Sequence, residues 1–287
     1  MINFFFSRDA KANRCTNFAK NSNSLSPSTA KTVIGQPFIE LITVESTNIY
    51  AIDQLKANLA AHGTVYFAHE QTAGKGQRGK SWQTQPGTHI AISVVVDCSF
   101  LSLSEQFNLN LMSALAAHDF FSKYAGEESS VKWPNDLYWR DRKAGGILIE
   151  NLVRGNLWQG SVIGIGINLN QVQFPATMPN PVSLKQITGR NYDTVLMAKE
   201  LCACLEARYG QLENRSFMQM LERYNERLYK RGKEVKLKKD GTVFKAIIEN
   251  VSSGGELFVS GCLQDSFRFG EVEWVLNEKI LKKEKEK

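Results

Sequence analysis

Between two apolar, β-rich runs the chain carries Gly74-Lys75-Gly76-Gln77-Arg78-Gly79-Lys80-Ser81, which fits G-x-x-x-x-G-K-[ST] letter for letter. This loop and its flanks constrain the fold more than any other stretch. A P-loop needs a buried strand before it and a helix straight after it, because the helix N-terminus and the loop amides together cradle the phosphates. The strand is present in Thr64-Val65-Tyr66-Phe67-Ala68, but no helix follows. Trp82-Gln83-Thr84-Gln85 leads into Pro86-Gly87, a turn signal, and His89 to Val96 (HIAISVVV) reads as another strand. Strand, basic glycine loop, turn, strand is the wrong frame for a P-loop, and the spacing is read as coincidence. What remains is a loop whose glycines 74, 76 and 79 let the backbone approach a ligand, with positive charge from Lys75, Arg78 and Lys80. The plain alternative is a solvated hairpin.

The rest of the chain mixes strands and helices. Phe38 to Val44 is strand-like, and Ser46-Thr47 then stand where a helix N-cap would, ahead of Ile49, Ile52, Leu55 and Leu59 at helical spacing. Residues 105–121 hold enough apolar side chains for a largely buried helix. Residues 131–153 (VKWPNDLYWRDRKAGGILIENLV) read as a strand, a tight Pro-Asn-Asp turn, a second strand, a charged turn and a third strand. One more strand ends at Asn168, and a helical stretch runs from about Thr194 to Tyr229 with a break expected near Gly210. From Lys233 the pattern alternates, with hairpin signals at Asp240-Gly241 and Gly254-Gly255. The expected fold is α+β: a mixed β-sheet backed by helices, then a small C-terminal SH3-like β-barrel. The expected divisions are a leader over 1–35, a main domain over 36–230 and a C-terminal domain over 231–287 ending in a charged tail. The leader is rich in Ser, Asn, Lys and Thr without a period, so its removal through residue 34 is expected to leave stability unchanged.

Composition narrows the function classes. A net charge of +6 suits an anionic ligand or an acidic partner, and with acidic residues interspersed it is too mild for a nucleic-acid binder. Five cysteines without a C-x-x-C read as small apolar side chains of a reduced, cytoplasmic chain. Four histidines without ligand spacing give no structural metal site. No apolar run approaches the roughly 18 residues of a membrane span, and MINFFF is too short for a signal-peptide core.

The most specific stretch is Lys132-Trp133-Pro134-Asn135-Asp136-Leu137, followed eleven residues after its lysine by Lys143 in Arg142-Lys143-Ala144-Gly145-Gly146-Ile147-Leu148. With Glu45-Ser46-Thr47-Asn48, the glycine loop from Glu70 to Trp82, and Gly164-Ile165-Gly166-Ile167-Asn168 in order, the chain resembles the biotin–protein ligases over roughly residues 38–276. The resemblance implies a catalytic domain of the class II aminoacyl-tRNA synthetase-like kind and a monofunctional ligase. Its substrates would be biotin and ATP with Mg2+, and its acceptor a lysine of a carboxylase's biotin carboxyl carrier domain. A monomer or weak homodimer is implied, without nucleic acid or membrane.

By that resemblance Ser46, Thr47 and Gln71 meet the ureido ring, Lys75, Gly76 and Gln77 form the loop that closes over it, and Asn48, Gly74 and Arg78 belong to the binding set. Gly146 and Leu148 line the slot, Trp82 stacks on adenine, and Asn135, Asp136 and Asn168 handle nucleotide and magnesium. Lys132 belongs to the binding set, and Lys143, Lys75 and Asp136 are the catalytic candidates. The chemistry agrees: a carboxylate attacking an α-phosphate brings two anions together and needs fixed cations and amide donors in a site kept from water. Each residue alone has a duller reading. Ser46 and Thr47 could cap a helix, the tryptophans could be core, Asn135-Asp136 could be a turn, and Lys143 could be solvated. Gly145-Gly146 inside a strand already points to close backbone approach. One departure stands out: the pattern has arginines where this chain has Lys75 and Gln77, which leaves the grip on the adenylate in question. The rivals are a lipoate or octanoate ligase, a biotin-responsive repressor with an added helix-turn-helix domain, and a binding module without chemistry.

Overall fold

The computed structural model describes residues 32–275 except 84, 156, 177 and 179. The expected leader up to residue 31 and the charged tail from 276 therefore lie outside the described residues. In chain order the elements are β1 (Phe38–Val44), α1 (Thr47–Lys56), β2 (Val65–Gln71), β3 (His89–Val96), α2 (Gln106–Ala125), β4 (Ser129–Lys132), β5 (Asp136–Trp139), β6 (Arg142–Arg154) and β7 (Leu157–Asn168). There follow α3 (Leu184–Thr188), α4 (Thr194–Glu213), α5 (Phe217–Glu226), β8 (Glu234–Lys239), β9 (Thr242–Val251), β10 (Leu257–Ser260), β11 (Ser266–Phe267) and β12 (Glu273–Trp274).

The first seven strands form one mixed sheet in the order β1-β2-β3-β7-β6-β5-β4. Only β1 and β2 are parallel, as the intervening α1 allows; the other neighbours are antiparallel. Strand residues alternate between faces, so each central strand carries two stories. On β3, Ile92, Val94 and Val96 enter the large core under α2 and α4, together with Ile163, Ile165 and Ile167 of β7. Val95 and Val162 enter a smaller core under α1, with Ala51, Tyr66 and the partly buried Leu55. The helices thus cover both faces, and the α1 face of the sheet centre is only partly filled.

The helical stretch from 194 does break in two, but not at Gly210, which lies inside α4. The break falls at Asn214 to Ser216, where Arg215 takes a left-handed backbone (φ 56°). Leu59 lies beyond the end of α1 and is exposed, so the apolar spacing overshot that helix by one turn.

The last five strands make an antiparallel sheet in the order β11-β10-β9-β8-β12, with the Asp240-Gly241 turn where the hairpin signal put it. Its edge strands have two residues each and do not pair with one another among the described residues, so the expected small β-domain is an open sheet rather than a closed barrel. It is tied to the main sheet. The Trp133 indole donates to the Gly255 carbonyl at 3.0 Å, and the Asn225 amide both donates to and accepts from Val251. Gly255 has φ +87°, and a Cβ there would overlap the Phe107 ring, so this junction requires glycine twice over.

The expectation that nothing before residue 35 matters is corrected at its end. Ile34 is buried in the main core, its amide donates to Glu206 at 2.9 Å, and Gly35 donates to the Gly63 carbonyl. Short polar sequence hid a single apolar anchor. Ile34→Ala is expected to lower unfolding free energy by about 2–5 kcal/mol, read from the urea midpoint at constant slope.

Candidate active site

A cavity of about 760 Å³ opens on the α1 face of the sheet, over β3, β7 and β6. Its floor follows from strand alternation. β6 and β7 pair with Gly146 opposite Gly166 and Leu148 opposite Gly164, so three of these four residues present no side chain. The space is used. A Cβ on Gly164 would overlap the Asn48 amide, and one on Gly166 would fall onto the Trp82 ring. A Cβ on Gly146 would meet Asp136 Oδ1 at 3.4 Å and Lys143 Nζ at 3.5 Å. Gly145, on the opposite face, has no room for a Cβ because the Gly166 carbonyl stands there, which is the close approach its sequence suggested.

One end of the cavity is polar and uncharged. Ser46 occupies the N-cap position of α1 by its backbone, yet its side chain makes no cap bond. Thr47 donates through both its amide (2.9 Å) and its hydroxyl (3.1 Å) to Gln71 Oε1. Asn48 is held within the protein: its Nδ2 donates to Glu150 at 2.8 Å and to the Leu148 carbonyl, and its Oδ1 accepts from Ser93. Ser46, Thr47, Asn48 and Ser93 are all buried.

The other end is cationic. Lys143 Nζ and Asp136 Oδ1 form an ion pair at 2.6 Å. Lys132, almost fully buried, lies 5.3 Å from the Tyr138 ring centre and 5.2 Å from that of Trp274. Burial pushes the Lys132 ammonium down to about 8, with Asp136 acting in the opposite direction. The Asn135 side chain donates to the Ile147 carbonyl, and Asn168 donates to the Val182 carbonyl at 3.1 Å. These two amides fix the turn and the end of β7.

The glycine loop lines one side of the cavity. Lys75 bridges Ser81, the Gly76 amide donates to the Lys80 carbonyl at 2.6 Å, and a short 3₁₀ turn spans Gln77–Gly79. Arg78 takes a left-handed backbone (φ 55°), and its guanidinium donates to the Gly270 carbonyl at 3.3 Å. Lys75, Gly76, Gln77, Arg78 and Trp82 line the cavity. Gly74 does not: a Cβ there would collide with the Trp82 carbonyl, so its part is to let the base of the loop close, where Trp82 N donates to Gly74 O at 2.8 Å. The Trp82 indole lies against Gly166 with Lys143 Nζ 5.9 Å from its ring centre, and its buried Nε1 has no partner among the described residues.

Residues 40–168, which carry the floor, the polar end, both lysines and the loop, match the Biotin/lipoate A/B protein ligase family. The chain is 32% identical over 188 residues to the bifunctional ligase/repressor BirA of Bacillus spizizenii, covering 64% of this chain and 57% of that protein. It is 28% identical to the biotin–[acetyl-CoA-carboxylase] ligase of Paracoccus denitrificans, over 77% of this chain and 93% of that one. A solved structure of a biotin protein ligase from Aquifex aeolicus in complex with biotin and ATP superposes with a TM-score of 0.65 at 24% identity, covering 84% of this chain and 95% of that one. The chain spans a little over half the length of the bifunctional relatives it matches.

Local sequence missed the part of the site that comes from afar. Phe269, Gly270, Val272, Glu273 and Trp274 line the cavity from the C-terminal part of the chain. No local pattern marks these five, because they meet the site across more than a hundred residues. Tyr138, six residues from Lys132, flanks its ammonium and was also passed over. Ser93 did leave a signal, as the one hydroxyl inside the apolar run HIAISVVV. Lys132 carries a stability cost of its own. Its folded value of about 8 lies below the usual 10.5, so the unfolded chain binds more protons between those limits and stability rises with pH there. The cost is full below about pH 8. Lys132→Met is expected to be more stable than the parent by about 1–4 kcal/mol at pH 7, with the gap narrowing toward pH 10 in urea unfolding.

Proposed function

We propose that the chain is a biotin–protein ligase. Biotin's carboxylate oxygen attacks the α-phosphorus of MgATP, the bond to the bridging oxygen breaks and pyrophosphate leaves. The amine of a carrier-domain lysine then attacks the acyl carbon of biotinyl-AMP, loses a proton and displaces AMP. The observation that carries the reading is the polarity of this cavity: an uncharged hydrogen-bonding end at Thr47 and Gln71 and a two-lysine end at Lys132 and Lys143. A ureido bicycle matches the first, and a carboxylate meeting an α-phosphate matches the second. A dithiolane or a plain acyl chain would leave the polar end without partners, which disfavours lipoate and octanoate. The names of the relatives point the same way.

In this reading Lys143 bridges the carboxylate and the α-phosphate; its ion pair with Asp136 supports that role by holding the ammonium until substrates enter. Lys132 supplies a second charge from a low-dielectric wall, where it acts more strongly on an anion than it would in water. Lys75 and the loop amides cover the phosphate, and Trp82 offers a face to the base. Magnesium comes in as MgATP. Asp136 and Glu273 are the carboxylates on the cavity wall and no metal-binding cluster of three exists among the described residues, which suits an ion that takes most of its ligands from phosphate and water. The four described cysteines are free, in keeping with work in a reducing cytoplasm, and no described helix is long and apolar enough to cross a membrane.

The protein incubated with biotin, MgATP and an apo carrier domain should release pyrophosphate and add the mass of one biotin to the carrier. Turnover with lipoate but not with biotin would overturn the reading. Lys143→Ala should slow pyrophosphate release by roughly 10²-fold while the fold holds, since the main-chain bonds of Lys143 to Asn180 and Val182 do not need its side chain.

The pH dependence has a definite sign. With Lys132 titrating at about 8 in the free protein, its ammonium is lost above that pH, and kcat/KM for MgATP should fall on the alkaline side with a limb near 8. Lys132→Arg, whose guanidinium stays charged, should remove that limb even if its absolute rate is lower. An unchanged limb in Lys132→Arg would assign it to another group.

A further inference from the structure

Beneath the uncharged end of the cavity lies a chain of hydrogen bonds, buried at Ser93, Asn48 and Thr47 and half-buried at its ends, that no ligand contact requires. It runs from Glu150 through Asn48 and Ser93 to Thr47 and Gln71. All of its links come from the α1 face of the sheet: Glu150 on β6, Ser93 on β3, and Thr47 and Asn48 at the start of α1. Gly164 makes room for it, since any side chain there would displace the Asn48 amide.

A proton inventory gives the chain one sense. Glu150 Oε2 and the Leu148 carbonyl accept only, so the Asn48 Nδ2 must face them, at 2.8 and 3.3 Å. That turns Asn48 Oδ1 toward Ser93, whose hydroxyl lies 2.5 Å away and is the donor of that contact. A hydroxyl has one hydrogen and two lone pairs. With its hydrogen on Asn48, the Ser93 oxygen meets Thr47 Oγ1 at 2.8 Å with lone pairs only. The Thr47 hydroxyl hydrogen therefore points to an oxygen within the protein, Ser93 Oγ or Gln71 Oε1 at 3.1 Å, while the Thr47 amide donates to the same Gln71 oxygen at 2.9 Å. What Thr47 has left for the cavity is an acceptor. Gln71, its oxygen engaged by Thr47, has its NH2 to offer. The arrangement also decides which branch of Thr47 faces the site, because Oγ1 and Cγ2 are nearly equal in size and only the hydrogen bonds tell them apart.

We propose that Ser93, Asn48 and Glu150 are positioning residues: they touch no reacting atom, but they lock Thr47 as an acceptor and so select a ligand ring that presents an N–H at that point. The proposal rests on the biotin-ligase reading of the same cavity, whose ureido ring supplies such an N–H. It adds to that reading the source of the selectivity, a carboxylate three residues removed from the ligand.

The test uses the full chain and steady-state pyrophosphate release, with KM for biotin and for MgATP measured separately alongside melting temperature. Ser93→Ala removes the hydroxyl that joins Asn48 to Thr47 and should raise KM for biotin roughly tenfold, with KM for MgATP within about twofold of the parent. Asn48→Asp sets a second carboxylate against Glu150 and should do at least as much. Adding Glu150→Gln to Asn48→Asp restores a donor facing an acceptor, and the double variant should recover most of that loss. A merely structural role would lower the melting temperature and shift both KM values together, without recovery in the double variant. That outcome, or an unchanged biotin KM in Ser93→Ala, overturns the positioning role while an active parent leaves the ligase reading standing. A parent that releases no pyrophosphate with biotin overturns the ligase reading, and this proposal with it.

Discussion

The site exists because two antiparallel strands place small residues at the same height on the same face. Gly146 opposite Gly166, with Gly164 two residues further along β7, removes the side chains that would otherwise meet α1 and fill the sheet centre as they do on the opposite face. There the same two strands present Ile147, Ile149, Ile163, Ile165 and Ile167, and the core closes under α2 and α4. One face of the sheet thus supplies the burial that stabilises the fold, and the other gives up part of that burial to make a cavity. Several of the polar side chains that line the cavity are carried to the rim of that gap by element ends: the start of α1, the end of β2, the turn after β4 and the start of β6. Such positions combine a rigid support with an exposed tip.

What the two faces share is backbone, so the demands are coupled. Ile163 and Ile165 cannot pack on the core side unless Gly164 and Gly166 point into the cavity. A slip of one residue in the β6–β7 register would bury the cavity floor and expose the isoleucines. The large core therefore holds the register on which the binding floor depends. The cost appears at Lys132, which sits in a wall dry enough to lower its affinity for a proton and is accompanied by aromatic faces rather than by a direct carboxylate. Stability alone would favour an apolar residue there. A cation is useful at that place because its field is little screened when an anion arrives.

How much of this could be read from sequence divides along range. Alternation gave the strands, including the glycines of β6 and β7, and the Pro-Gly turn was enough to reject the P-loop that the spacing of Gly74 to Ser81 invited. The ordered set from Ser46 to Asn168 named most of the cavity wall, because each member sits at an element end with a local signature. The errors were also local in origin. Gly210 looked like a break, yet one glycine inside a twenty-residue buried helix costs only about 1 kcal/mol against alanine. Ile34 was overlooked because one apolar residue has no period. Gly74 was placed in the binding set, although its missing Cβ serves the Trp82 carbonyl instead. Out of reach altogether were the contributions of Phe269, Gly270 and Trp274, whose place over the site depends on how the second sheet docks.

That docking changes how the glycine loop should be understood. A glycine loop with three basic residues, taken alone, is a mobile hairpin whose closure over an anion would have to be bought entirely by the anion. Here Arg78 is already turned away from its neighbours by a left-handed backbone and donates to the Gly270 carbonyl of the C-terminal sheet. Gly270 itself has φ +90°, and a Cβ there would stand 3.6 Å from the guanidinium carbon, so the two chains meet at close range. Meanwhile Trp133, next in sequence to Lys132, donates to Gly255 and packs edge-on against Phe269 of the same sheet. The C-terminal sheet therefore holds both the glycine loop and the cationic wall, one through an arginine and the other through a tryptophan. With part of the loop fixed in this way, less ordering remains for a ligand to impose. The position of the loop around Gln77 is thereby held through Arg78 and the sheet it reaches.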